Sequence, residues 1–141
     1  MEKNSTSSTK RKRVVVTHKP EVILDFIFDQ GMFYISIENI GDAPALKVST
    51  HFEQKIRGVG GEQDIEAMPL FQNIEFLAPH KAIKTFLDRS TAYFQRGEPT
   101  EVMVRISYWD AARHQYHTTI RHDLRIYEDI GYLSRREEDI D

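Results

Sequence analysis

Apolar residues recur at every second position through most of this chain, and a period of two is the signature of β-strands that bury one face and wet the other. In Met32–Ile40, Phe33, Ile35 and Ile37 alternate with Tyr34, Ser36 and Glu38. In Leu46–Glu53, Leu46, Val48, Thr50 and Phe52 alternate with Lys47, Ser49, His51 and Glu53. Near the end, Val102, Val104, Ile106 and Tyr108 alternate with Met103, Arg105, Ser107 and Trp109. Tyr116, Thr118, Ile120, His122 and Leu124 then alternate with His117, Thr119, Arg121 and Asp123. Asp110–His114, whose residues are polar or small and include no glycine, joins these two as a four- or five-residue loop.

Between the first two runs stands Asn39-Ile40-Gly41-Asp42-Ala43-Pro44-Ala45, whose turn residues predict a hairpin-like pair. Glu21–Asp29, apolar on both faces, predicts a strand covered on its second side. Phe71–Phe76 and Lys81–Leu87 complete about seven strands, and Asp88–Gln95 predicts one helical turn crossing between layers. The expected fold is an all-β antiparallel β-sandwich of about seven strands, their spacing favouring a sandwich over a barrel.

A chain of 141 residues suits one domain with tails. Residues 1–13 carry +4, residues 127–141 carry −4, and the body between them −3. Blocks so charged cannot bury enough apolar surface to offset their ordering entropy. The expected organisation is a basic disordered tail at 1–13, a sandwich over 14–132 and an acidic disordered tail at 133–141. The chain has no cysteine, which excludes thiol nucleophiles and cysteine-ligated metals and suits a reducing compartment. With no apolar leader and no apolar run long enough for a bilayer, the expectation is a cytoplasmic protein with no membrane span.

The turn and strand residues resemble a known family. Asn39-Ile40-Gly41-Asp42-Ala43-Pro44-Ala45 followed by Val48 resembles the N-x-G-x-x-P-A…V turn of immunoglobulin-like bacterial domains of the CARDB type. Leu77-Ala78-Pro79-His80 resembles their L-x-P-G entry to a middle strand, with His80 in place of glycine, and Ile106–Asp110 with Tyr116 onward is similar to their last hairpin. The resemblance spans roughly residues 21–127 and implies that the sandwich is immunoglobulin-like, with a structural or adhesive role and no enzymatic activity.

Candidate chemistry is scattered. Of the clustered His114, His117 and His122, the last two lie an odd number of residues apart and so point to opposite faces of a strand. As a candidate acid pair, Asp25 and Asp29 share a face, but nothing nearby supplies supporting hydrogen-bond partners or a recognisable nucleophile, and they read as solvent-facing or partner-facing carboxylates. Arg57-Gly58-Val59-Gly60-Gly61-Glu62 is glycine-rich yet lacks the Gly-Lys-Ser/Thr ending of a phosphate cradle and reads as a mobile loop. Neither a cofactor nor a catalytic residue is assigned.

The expected function is a non-enzymatic module that binds a protein partner through a strand edge or the Gln54–Met68 loop, with Arg57, Gly58, Val59, Gly60 and Trp109 as contact residues. Trp109 stands out because its strand phase places it with Arg105 and Ser107, on the less apolar face. A strand edge can equally receive a second copy of the chain, giving a homo-oligomer. The alternative is nucleic-acid binding through Lys10, Arg11, Lys12 and Arg13, against which stands the acidic body.

Overall fold

In a computed structural model, residues 18–128 and 130 are described. The 1–13 and 133–141 tail assignments, Lys10–Arg13 included, lie outside these residues, as do positions 14–17, 129, 131 and 132 of the expected domain.

Seven long strands form two antiparallel sheets. β1 (Val22–Asp29), β2 (Met32–Asn39) and β7 (Ala82–Arg89) make a three-stranded sheet in the order β1-β2-β7. β6 (Ile74–Leu77), β3 (Ala45–Phe52), β8 (Glu101–Trp109) and β9 (Gln115–Asp123) make a four-stranded sheet in the order β6-β3-β8-β9. A small hairpin, β4 (Arg57–Gly58) with β5 (Gln63–Asp64), lies outside both. The all-β sandwich is therefore the fold, held by the inward faces that the alternation marks. Leu24, Phe26, Phe33, Ile35, Ile37 and Val48 are buried from one side or the other, and Val102, Val104, Ile106 and Tyr108 close the layer. Phe33 and Tyr93 meet edge to face at 5.7 Å between ring centroids.

The expected β8–β9 hairpin forms, with Asp110–His114 as its loop. A short helix, Ser90–Gln95, carries the chain from β7 in one sheet towards β8 in the other. Four expectations are corrected. β2 and β3 are not a hairpin, because each pairs within a different sheet and the Asn39–Ala45 segment is a corner between layers. Asn39 builds that corner. Its fully buried side chain accepts from the Glu21 and Gly41 amides at 3.1 and 3.0 Å and donates to the Ala43 and Leu77 carbonyls at 2.8 and 3.1 Å. Gly41 has no alternative here, since a Cβ would overlap Lys19 O and Glu21 N.

Leu46 does not face the core. Lys47 takes the left-handed conformation (φ 53°) and the β3–β8 register shifts between Leu46 and Ser49, so a bulge separates buried Ala45 from buried Val48 and turns Leu46 outward. Phe71–Phe76 is not one strand, because Pro69 starts a helical turn over Pro69–Gln72 and only Ile74–Leu77 pairs with β3. Nor is Gln54–Met68 a mobile loop, since it holds β4, β5 and a 3₁₀ turn at Ile65–Ala67, with Ile56 and Ile65 fully buried.

At the turn into β7, His80 has φ 64°, a backbone that favours the glycine of the resembling pattern. Its side chain gains only an exposed approach to Asp42 at 3.7 Å. His80→Gly is expected to stabilise the domain by about 0.5–1 kcal/mol in urea unfolding; an unchanged or lower midpoint would show that the Asp42 contact outweighs the backbone strain.

Candidate interaction surfaces

The predicted contact residues fall at opposite ends of the sandwich. Trp109 pairs with Leu46 at the start of β3, whereas the Gln54–Met68 segment leaves from Phe52 at its end, about 20 Å away at the rise of a strand. They do not form one site.

The glycine-rich segment is docked on the fold by a buried ionic cluster. Arg96, at the end of the Ser90–Gln95 helix, donates from Nη1 to Asp88 at 2.7 Å, from Nε to Glu98 at 3.0 Å and from Nη2 to the Arg57 carbonyl at 2.9 Å. The two carboxylates in turn accept from the segment's backbone, Glu98 from the Arg57 amide and Asp88 from the Gly60 amide. The Val59 amide donates to Leu87 O at 2.8 Å, and Gly58 lies so close to β7 that a Cβ would overlap that carbonyl. Desolvation alone would raise the Asp88 carboxyl. The hydrogen bonds from Arg96, Gly60 and Arg89, together with the Arg96 charge, outweigh it and hold the group below the ordinary carboxylate range. Of the predicted contacts here, Gly58 is buried while Val59 stands at the surface.

Two sheet edges are partly occupied. At β1, His122 Nε2 donates to Leu24 O at 2.9 Å and the Tyr127 hydroxyl to Phe26 O at 3.3 Å. At β7 the Val59 amide donates to Leu87 O, at the point where the β2–β7 register shifts between Phe33 and Tyr34.

Outside the four-stranded sheet lies an apolar row. Leu77 and Ala45 are paired and buried, so the neighbouring pair Phe76–Leu46 points outward, and Leu46 pairs onward with Trp109. Phe76 is 59% exposed, and Trp109 is half-buried. Beside the row, Leu46, Lys47, Trp109, Asp110, Ala111 and Arg113 line an open groove of about 390 Å³. Asp110 is engaged from behind, accepting from the His114 amide at 2.9 Å and the Tyr116 hydroxyl at 2.8 Å, with the His114 ring at 3.1 Å. The His114 amide is the foremost of the groups that lower its carboxyl to about 2 against desolvation.

The remaining candidates stay apart. His114 serves Asp110, His117 meets Ser107 Oγ at 3.2 Å on the outer face, and His122 reaches back to β1. Asp25 accepts from the Phe26 amide, and both Asp25 and Asp29 are exposed. Trp109 was legible from strand phase. Lys47 was legible as outward-facing in the same way, but Leu46 was not, because the bulge that turns it out leaves the alternation of residue types intact.

Fold and surfaces together define a small antiparallel sandwich with an outward apolar row on its four-stranded sheet. The chain belongs to the family described as a domain of unknown function (DUF8453), whose model matches residues 3–128. No curated protein and no solved structure matches it. Among the described residues, no helix is long and apolar enough to cross a membrane.

Proposed function

We propose that the domain is a non-enzymatic, immunoglobulin-like protein-interaction module that meets its partner on the outer face of the four-stranded sheet, around Leu46, Phe76 and Trp109. The observation that carries this reading is the outward row itself. The solvent face of an antiparallel sheet is normally polar, and a contiguous apolar ladder there stands where partners dock. Half-buried tryptophan is the residue type most often found at the energetic centre of interfaces. The immunoglobulin-like part of the reading is supported by strand order. Lettered A to G in sequence, the long strands divide as ABE and DCFG, one strand displaced from the ABED and CFG division of constant-type immunoglobulin domains. The docked state of the Gln54–Met68 segment moves the favoured surface away from it.

The test is site-specific photo-cross-linking in cells, with benzoylphenylalanine replacing Phe76 in one variant and Val59 in another. Protein adducts from position 76 that are lost when Trp109→Ala is added are the expected result. Adducts from position 59 with none from 76 would transfer the function to the glycine-rich segment.

A further inference from the structure

We propose that the Lys47–Trp109–Arg113 groove receives an acidic, extended peptide segment carrying an apolar side chain. This refines the interaction reading above and rests on it. The floor is apolar, formed by Leu46, Trp109 and Ala111, and its volume of about 390 Å³ suits one or two side chains rather than a folded surface. The rim is cationic. Lys47 lines the groove, its 3.8 Å approach to Glu75 a solvent-exposed pair too weak to consume its charge. Arg113, which also lines the groove, forms no ion pair among the described residues. The lining acid, Asp110, has its oxygens occupied by His114 and Tyr116, so its carboxylate is held by the hairpin rather than offered to a ligand.

The backbone adds an independent observation. Lys47 (φ 53°) and Arg113 (φ 70°) both occupy the left-handed region, which any residue with a Cβ enters at a cost and glycine enters freely. Two cations, each at a conformationally unfavourable position and each beside the same groove, are a poor choice for stability. The bulge at Lys47 also breaks the strand's alternation and re-aims the side chain. Ammonium and guanidinium groups lining one groove with an apolar floor match a segment that carries carboxylates beside an apolar residue, with the guanidinium able to engage a carboxylate through two parallel hydrogen bonds. A nucleic acid fits less well, because the body from residue 14 to 126 carries −3 and offers no continuous basic track.

Trp109 is the only tryptophan, so its emission reports the groove directly. The full chain is titrated at low salt with an acetylated, amidated Glu-Glu-Leu-Glu-Glu peptide, with the Gln-Gln-Leu-Gln-Gln peptide of the same shape, and with single-stranded oligothymidylate. The expected result is a saturable emission shift with the acidic peptide at about tenfold higher affinity than with its neutral counterpart. K47G and R113G should each weaken that binding severalfold while melting at the same temperature as the parent or higher, since glycine suits both backbones. Equal affinity for the neutral peptide, or unchanged binding in both glycine variants, would overturn the acidic specificity while leaving an apolar docking face. Tighter binding of the oligonucleotide would overturn it in favour of a polyphosphate site. No emission change with any probe, together with no cross-links from position 76, would remove the interaction surface altogether.

Discussion

Arg96→Leu is expected to cost about 3–5 kcal/mol of stability, the penalty for removing one partner of a buried ionic cluster. The side chain of Glu98 is 2% exposed and that of Asp88 is 7% exposed, so neither carboxylate can turn to water when the guanidinium is lost. Three donated hydrogen bonds vanish at once, to Asp88, Glu98 and the Arg57 carbonyl. The pH dependence gives the sign. Because the Asp88 carboxyl is held below its ordinary value of 3.8 in the folded protein, its contribution is complete above that value and is lost as pH falls through the lowered folded one. Leucine removes the hydrogen bond and charge of Arg96, leaving desolvation opposed only by the Gly60 and Arg89 amides, so the carboxyl moves up. The difference between parent and variant should therefore be greatest near neutrality and narrow below about pH 4. Urea unfolding at both pH values measures it, and a loss under about 1 kcal/mol at neutral pH would mean that the cluster is solvated. Combining Arg96→Leu with Asp88→Asn and Glu98→Gln should recover much of the loss, because both buried charges go with their counter-ion. Hydrogen exchange at Val59, Gly60 and Gly61 should accelerate in the single variant before the sheets respond, since the segment is fastened through this cluster.

That fastening explains where sequence reading succeeds and fails. Alternation is a local property, and it marks β2, β8 and β9 with their inward residues because one face of each strand is more buried than the other. Which strand pairs with which is not local. β2 and β3 adjoin in sequence with turn residues between them, and the feature that sends them to different sheets is one asparagine bonded to four backbone groups, one of them Leu77 on β6. The Gln54–Met68 segment looks free because glycines and polar residues dominate it, while the groups that dock it, Asp88, Arg96 and Glu98, arrive about thirty to forty residues later. Phe71 reads as a strand residue by hydrophobicity, yet Pro69 at the first helical position sets a turn that buries it against Phe52 at 5.3 Å. Trp109 was found by phase alone, whereas the groove beside it depends on a left-handed lysine that no period reveals.

Asn39→Ala should destabilise the domain by about 3–5 kcal/mol, since the side chain is buried and each of its four backbone partners loses a bond where water does not readily replace it. Asn39→Asp discriminates between lost shape and lost hydrogen bonding. It preserves the volume and the acceptor for the Glu21 and Gly41 amides, but sets a carboxylate oxygen against the Ala43 and Leu77 carbonyls, which have nothing to donate. Burial and carbonyl repulsion raise the introduced carboxyl in the folded state. Its penalty should consequently be smallest at about pH 3, where a retained proton can be donated, and should grow as pH rises from the ordinary carboxylate value through the raised folded one. An Asn39→Asp loss that stays flat with pH would show the site to be hydrated. The effect should also reach the groove, because Leu77 is the register partner of Ala45 and the next pair outward is Phe76 with Leu46. A corner that no longer holds the Leu77 carbonyl loosens β6 against β3 and lets solvent reach Trp109. A red shift of tryptophan emission at urea concentrations below the global transition is the expected signature, and emission that moves only with global unfolding would uncouple the corner from the docking face.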